Sequence, residues 1–212
     1  MSQPAGQNLL EHPQHSIMAF LSKSATAAIT SSSSGGGYLN LSKLPDKGSV
    51  RITILSDQPL EYYEVWGTSG TQSKPFRWDR QPTPEDLTAE LGDFEAREGR
   101  GGPGTTDIKF AISAPVFNYE TGNVQVWPIT QKTIMKELDD ISQMEDYDKD
   151  LTSIDLIISK EIQANGIPKY TVRPVPKKKG SQEHITAAWI EAQEAGFDLD
   201  RLLTGANPFK PA

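Results

Sequence analysis

Between Thr105 and Tyr119 the side chains alternate: Ile108, Phe110, Ile112, Ala114 and Val116 share one parity, and Lys109, Ala111, Ser113, Pro115, Phe117 and Tyr119 the other. Successive strand side chains point to opposite faces, so this stretch predicts one long strand. Glu120-Thr121-Gly122-Asn123 offers the Gly and Asn that a short hairpin loop needs for positive φ. Val124–Ile129 returns as a second strand, with Val124 and Val126 on one face and Gln125 and Trp127 on the other. Thr130 is a good N-cap, after which Ile134, Leu138 and Ile141 fall at helical spacing. The face opposite the apolar one is expected to carry Lys109, Phe117, Tyr119 and Trp127, a mixture of cations and rings that a merely wetted sheet face does not need.

The same alternation marks other elements. Val50, Ile52 and Ile54 point inward from a strand over Ser49–Ser56, with Arg51 and Thr53 outward. Leu60–Trp66 follows as a strand rich in aromatic and β-branched residues. Gly67–Lys74 reads as a polar loop, leading into a cluster of two rings and two arginines, Phe76, Arg77, Trp78 and Arg80. Thr83 as cap, Pro84 at the first helical position and Glu85 and Asp86 in the first turn predict a short helix to Leu91. Ser153–Lys160 and Lys169–Pro176 read as strands turned by Asn165-Gly166. In the last strand Tyr170 and Val172 face one way and Lys169, Thr171 and Arg173 the other. Glu183–Ala195 is a helix ended by Gly196.

Short antiparallel strands with one helix between the later ones predict a mainly β protein, most simply an OB-type barrel of five or six strands. A two-layer α+β domain fits the pattern as an alternative. Residues 1–37, which run into SSSSGGG, read as a flexible arm, with Met18, Phe20 and Leu21 as a candidate self-association segment. Residues 38–180 form the expected core, and 181–212 a helical, acidic tail. Phe209 near the end of that tail could anchor in a partner's pocket.

Composition narrows the function. The chain has 212 residues and no cysteine, which removes disulfides, thiolate metal sites and thiol nucleophiles. Its three histidines lie in the predicted tails, and no nucleophile elbow or metal-ligand spacing occurs, so neither an enzyme nor a cofactor is expected. The glycine-rich loop 99–104 lacks the Lys-Ser/Thr ending of a phosphate-binding loop. No apolar run approaches a membrane span, and no secretory leader is evident, which leads to an expected cytoplasmic location. A net charge of −7 speaks against nucleic acid at first sight. Much of the acid, however, falls in Glu85–Glu98, Glu137–Asp150 and the tail. With a Debye length of about 8 Å, such segments scarcely oppose phosphate contacts elsewhere.

GSVRITILSD, the KPFRWDR loop, DIKFAISAPVFNYETGNVQVWPITQKTIMKEL, SIDLIISK and KYTVRPVPK, taken in that order, resemble a family of tailed-phage single-stranded DNA-binding proteins. More remotely they are similar to the core of the phage helix-destabilising protein. The resemblance covers roughly residues 38–180. It implies an OB-type core that binds single strands without catalysis, with Arg51, Arg77, Trp78, Lys109, Phe117, Tyr119, Trp127 and Lys132 on the ligand side. The zinc site of the helix-destabilising protein is not implied, because this chain lacks cysteine. Nor is its basic N-terminal arm, since residues 1–36 hold one Lys and one Glu.

Single-strand binding needs cations for phosphates and rings for bases. That requirement adds Trp66, Phe76, Arg80, Lys169 and Arg173 to the candidate residues. The expected activity is coating and protection of single-stranded DNA in replication, recombination or repair in the cytoplasm of a bacterial host, with replication proteins as possible tail partners. The rival expectation is an OB-like module that grips protein instead.

Overall fold

A computed structural model describes residues 37–145 and 150–210; the readings for the N-terminal arm, its self-association segment and part of the acidic run at 145–150 lie outside them. The described residues are mainly β, with eight strands in one antiparallel open sheet and three α-helices. The strands are β1 (Ser49–Ile54), β2 (Leu60–Ser69), β3 (Gln72–Trp78), β4 (Glu95–Ala96), β5 (Lys109–Asn118), β6 (Asn123–Ile129), β7 (Asp155–Ile162) and β8 (Pro168–Val175). The helices are α1 (Pro84–Leu91), α2 (Lys132–Ser142) and α3 (Gln182–Glu194).

β5 is the axis of the sheet. One of its edges takes β6; the other takes β2 alongside Lys109–Ser113 and β1 alongside Val116–Asn118. β1 and β2 therefore lie end to end, like one strand interrupted at 55–59. β1 continues outward to β7 and β8, and β2 to β3, while β4 pairs with the far end of β2 on the edge that also carries β5. The free edge of β6 is met by residues 37–39, where Leu39 donates to the Val126 carbonyl and Val126 to that of Gly37.

The main core lies between this sheet and α2. Val50, Ile52, Ile54, Val116, Trp127, Ile129, Leu156, Ile158, Tyr170 and Val172 close over Ile134, Leu138 and Ile141 of the helix. Full burial of each aliphatic side chain is worth about 1.5–3 kcal/mol, which fixes the helix to the sheet far more firmly than its own propensity does. The Glu137 carboxylate of α2 accepts the backbone N–H of Val172, so the helix satisfies a donor of β8 that no further strand meets. A second cluster packs Val65, Phe76 and Trp78 under α1. Gly67 sits at its tightest point, where an added Cβ would lie 2.8 Å from the Phe76 ring and 3.0 Å from Leu91.

Two expectations change here. Gly67–Lys74, read as a polar loop, and most of the KPFRWDR loop after it are strand: β2 runs on to Ser69, and Gln72–Trp78 form β3. The turn Gly70-Thr71 joins it to β2, with Gly70 at φ +57°, and its polar first half is exposed because only Phe76 and Trp78 reach the cluster. The C-terminal stretch, read as an appendage, packs on the body: Ile185 and Leu202 are buried, and Arg77 donates to the Leu202 carbonyl. Rings of Trp189, Phe197 and Phe209 run edge to face at 5.3 and 5.1 Å. Phe209 also lies against Gly37, so it is part of the packed body and not a free anchor.

Candidate nucleic-acid interface

The hairpin register decides which rings can meet a ligand. Trp127 pairs with Ala114 and Phe117 with Val124, so Trp127 points to the α2 side and Phe117 to the opposite side. Trp127 is 0% exposed in the main core. Its expected place beside Phe117 is therefore corrected: counting parity along each strand did not fix the register across the turn. Phe117 itself is 2% exposed, its ring edge to face with His184 of α3 at 5.4 Å. Neither ring is open to a base in this conformation. Trp78 is likewise buried in the α1 cluster.

The outer face of β1, β7 and β8 is more open. Register places Arg51, Ile157 and Arg173 in one row across three strands, with Ser49, Ser159 and Thr171 in the next, and Glu161 beside Lys169 beyond that. Lys169, Thr171 and Arg173 are exposed. Four residues of strand separate Lys169 from Arg173, about 14 Å, and two strand spacings separate Arg51 from Arg173, about 10 Å. Glu161 offsets Lys169, so positive charge is strongest toward Arg173 and the run Lys177-Lys178-Lys179 that follows β8.

Tyr119 closes this row at the end of β5. The Arg51 guanidinium carbon lies 5.3 Å from its ring centroid and Lys178 Nζ 5.7 Å, so the half-buried ring is flanked by two cations. Its hydroxyl lies 3.1 Å from Asp155 Oδ1 and 3.2 Å from Ser181 Oγ. Burial raises the phenol pKa above its ordinary value, against the pull of the Ser181 hydrogen bond.

Asp155, 0% exposed, organises this end of the face. It accepts from Arg51 Nε at 2.8 Å, Thr53 Oγ1 at 2.7 Å and the Lys178 backbone N–H at 3.0 Å. Arg51 also donates to the Pro176 carbonyl at 2.7 Å. Its charge is thus compensated internally, and its work is to brace Tyr119 and the start of the lysine run.

The other candidate residues lie apart from this face. The Trp66 indole donates to Glu64 at 2.7 Å and Arg77 Nε to the same carboxylate at 3.0 Å. Phe76 is half-buried, with Lys74 Nζ 4.6 Å from its ring. Arg80 forms a two-pronged bond with Asp86 at 2.7 and 2.9 Å, which holds that carboxyl below the usual range. Lys109 pairs with Asp107 at 3.0 Å. Lys132 is exposed at the first turn of α2. Sequence reasoning overlooked Lys178, although the three-lysine run stood directly after a strand bearing Arg173 on its outer parity.

Among the described residues no helix is long and apolar enough to cross a membrane. No family model, curated protein or solved structure matches the chain.

Proposed function

We propose that this protein binds single-stranded DNA without catalysis and with little sequence preference, along the outer face of β1, β7 and β8. The observation that carries the reading is the placement of Arg173 and Lys178 on one side of the sheet near the cation-flanked ring of Tyr119, with Lys169 farther along the same face of β8, in a chain whose net charge is −7. Cations would follow the phosphates and the ring would offer a stacking surface. The cellular role proposed with it is protection of exposed strands during replication or recombination in a bacterial cytoplasm.

The finer fold reading that goes with this is a partly open OB-type barrel. Its support is the pairing scheme: β1 with β5, β5 with β6, β1 with β7 and β7 with β8 is the meander-and-return order of that fold, with a helix between β6 and β7. The closing pair between β6 and β8 does not occur among the described residues; β2, β3, β4 and α1 would be an insertion after the first strand. This scheme also agrees with the resemblance to tailed-phage single-strand binders.

The test is fluorescence anisotropy of end-labelled oligo(dT) mixed with the full chain, with duplex of equal length as control. Saturable binding to the single strand, stronger than to duplex, is expected. The rival reading, a protein-gripping module, draws on Ile162 and Ile167 at the β7–β8 tip, which are 46% and 60% exposed. It gains if neither nucleic acid binds at low salt.

A further inference from the structure

A cavity of about 450 Å³ opens where β2 and β3 face residues 38–42 and the entry to α2. That volume falls within the roughly 300–1,000 Å³ of small-molecule sites. Tyr38 and Trp66 contribute rings and Pro75 and Pro128 flat apolar edges, a lining suited to a planar ligand.

Among its polar groups, which include the Arg77 guanidinium, two acceptors stand out, Glu64 and Gln131. Glu64 is 6% exposed, and its carboxylate receives one hydrogen bond on each oxygen, from Trp66 Nε1 and Arg77 Nε. A carboxylate can accept about four, so roughly two acceptor sites remain. Gln131 also lines the cavity, and its carbonyl oxygen is buried without any hydrogen-bond partner. Gln131 occupies the N-cap position of α2, yet its side chain makes no capping bond. A buried acceptor with no donor is destabilising, and a ligand that brings a donor to it relieves that cost.

We propose that this cavity binds an amine-bearing nucleobase, guanine best of all, presented by its Watson–Crick edge. Guanine carries N1–H and N2–H₂ side by side and can address a carboxylate and a neighbouring carbonyl together, while its plane lies among the rings. Thymine would turn carbonyl oxygens toward Glu64 and is disfavoured. Arg97, 5.8 Å over the Trp66 ring, supplies a cation near the cavity for a phosphate. This inference rests on the proposed single-strand binding and adds to it a pocket with a base preference, separate from the β1–β7–β8 row.

The experiment titrates the full-length, ¹⁵N-labelled chain with dGMP, dTMP and acetyl-arginine amide, following the Trp66 indole N–H and the Arg77 Nε–H by NMR. Expected is saturable movement of both signals with dGMP, with dTMP weaker by about tenfold, the size of one good two-pronged base contact. Glu64→Gln should erase the preference. Because that change also disturbs a buried ion pair, Gln131→Ala serves as the second variant, with a several-fold loss for dGMP and unaltered oligo(dT) anisotropy. Silence toward dGMP while oligo(dT) still binds overturns the pocket alone, and silence toward both overturns the single-strand reading with it. Equal response to dGMP and dTMP, or response to the arginine amide only, also overturns the assignment, the latter in favour of a basic peptide.

Discussion

Asp155 is a fully buried carboxylate that organises the groups around it. Four groups converge on a carboxylate that water does not reach: the Arg51 guanidinium, the Thr53 and Tyr119 hydroxyls and the Lys178 amide. Asp155→Ala leaves the Lys178 N–H without its acceptor and Arg51 without its counter-charge, while Thr53 keeps the Ile154 carbonyl and Arg51 that of Pro176. A loss of about 1–3 kcal/mol in urea melts is expected, the range for leaving a buried donor without its acceptor. Tyr62 gives a second residue-level prediction. Burial raises its phenol pKa above the ordinary 10.0, and the hydrogen bond with Ser113 only partly counters this. A raised pKa means that the folded state holds the proton more tightly. The associated stability is complete below pH 10 and is lost as pH rises toward the folded value. Urea midpoints measured at about pH 9 and about pH 11 should therefore fall less in Tyr62→Phe than in the parent, whereas an unchanged fall assigns the alkaline loss elsewhere.

At the scale of elements, the β5–β6 hairpin shows what pattern alone conveys. Alternation predicted both strands, the Gly122 turn and the helix that follows, because each depends on local spacing. It did not place Trp127, because the face of a returning strand depends on how many residues the turn consumes. The cationic parity of β8 was legible for a similar reason, since Lys169, Thr171 and Arg173 alternate with buried Tyr170 and Val172 within one strand. β3 was not legible: Gln72-Ser73-Lys74-Pro75 is polar and contains a proline, and only pairing with β2 makes it a strand. That pairing brings Phe76 against Gly67, and Phe94, just before β4, closes in beside it, leaving no room for a methyl group. Gly67→Ala should destabilise by about 1–3 kcal/mol, as overpacking commonly does. A thermal melt with no shift would show that the α1 cluster is looser than these distances imply.

Over the whole molecule, the last 30 described residues matter as structure before anything else. Leu202 is 1% exposed and its carbonyl holds Arg77, so the C-terminal stretch covers the sheet face that carries Phe117. Leu202→Ala should cost about 2–5 kcal/mol, a result no detached tail would give. Its acidic composition and terminal Phe209 suggested an appendage, because the sequence does not reveal that the outer face of β5 and β6 is itself apolar and needs a cover. With that face closed, the row from Lys169 to Tyr119 is the open cationic surface on which the functional proposal stands.

The most direct measurement is the salt dependence of oligo(dT) affinity for the parent chain and for the exposed double variant Arg173→Glu/Lys178→Glu. Binding through phosphates releases counterions, and each single-strand contact contributes about 0.7 to the slope of log affinity against log salt. The account predicts a steep parent slope that falls by about 1.4 or more in the variant, with an unchanged thermal melt. Parent and variant sharing one slope and one affinity would contradict it, and would move any nucleic-acid contact away from the β1–β7–β8 face.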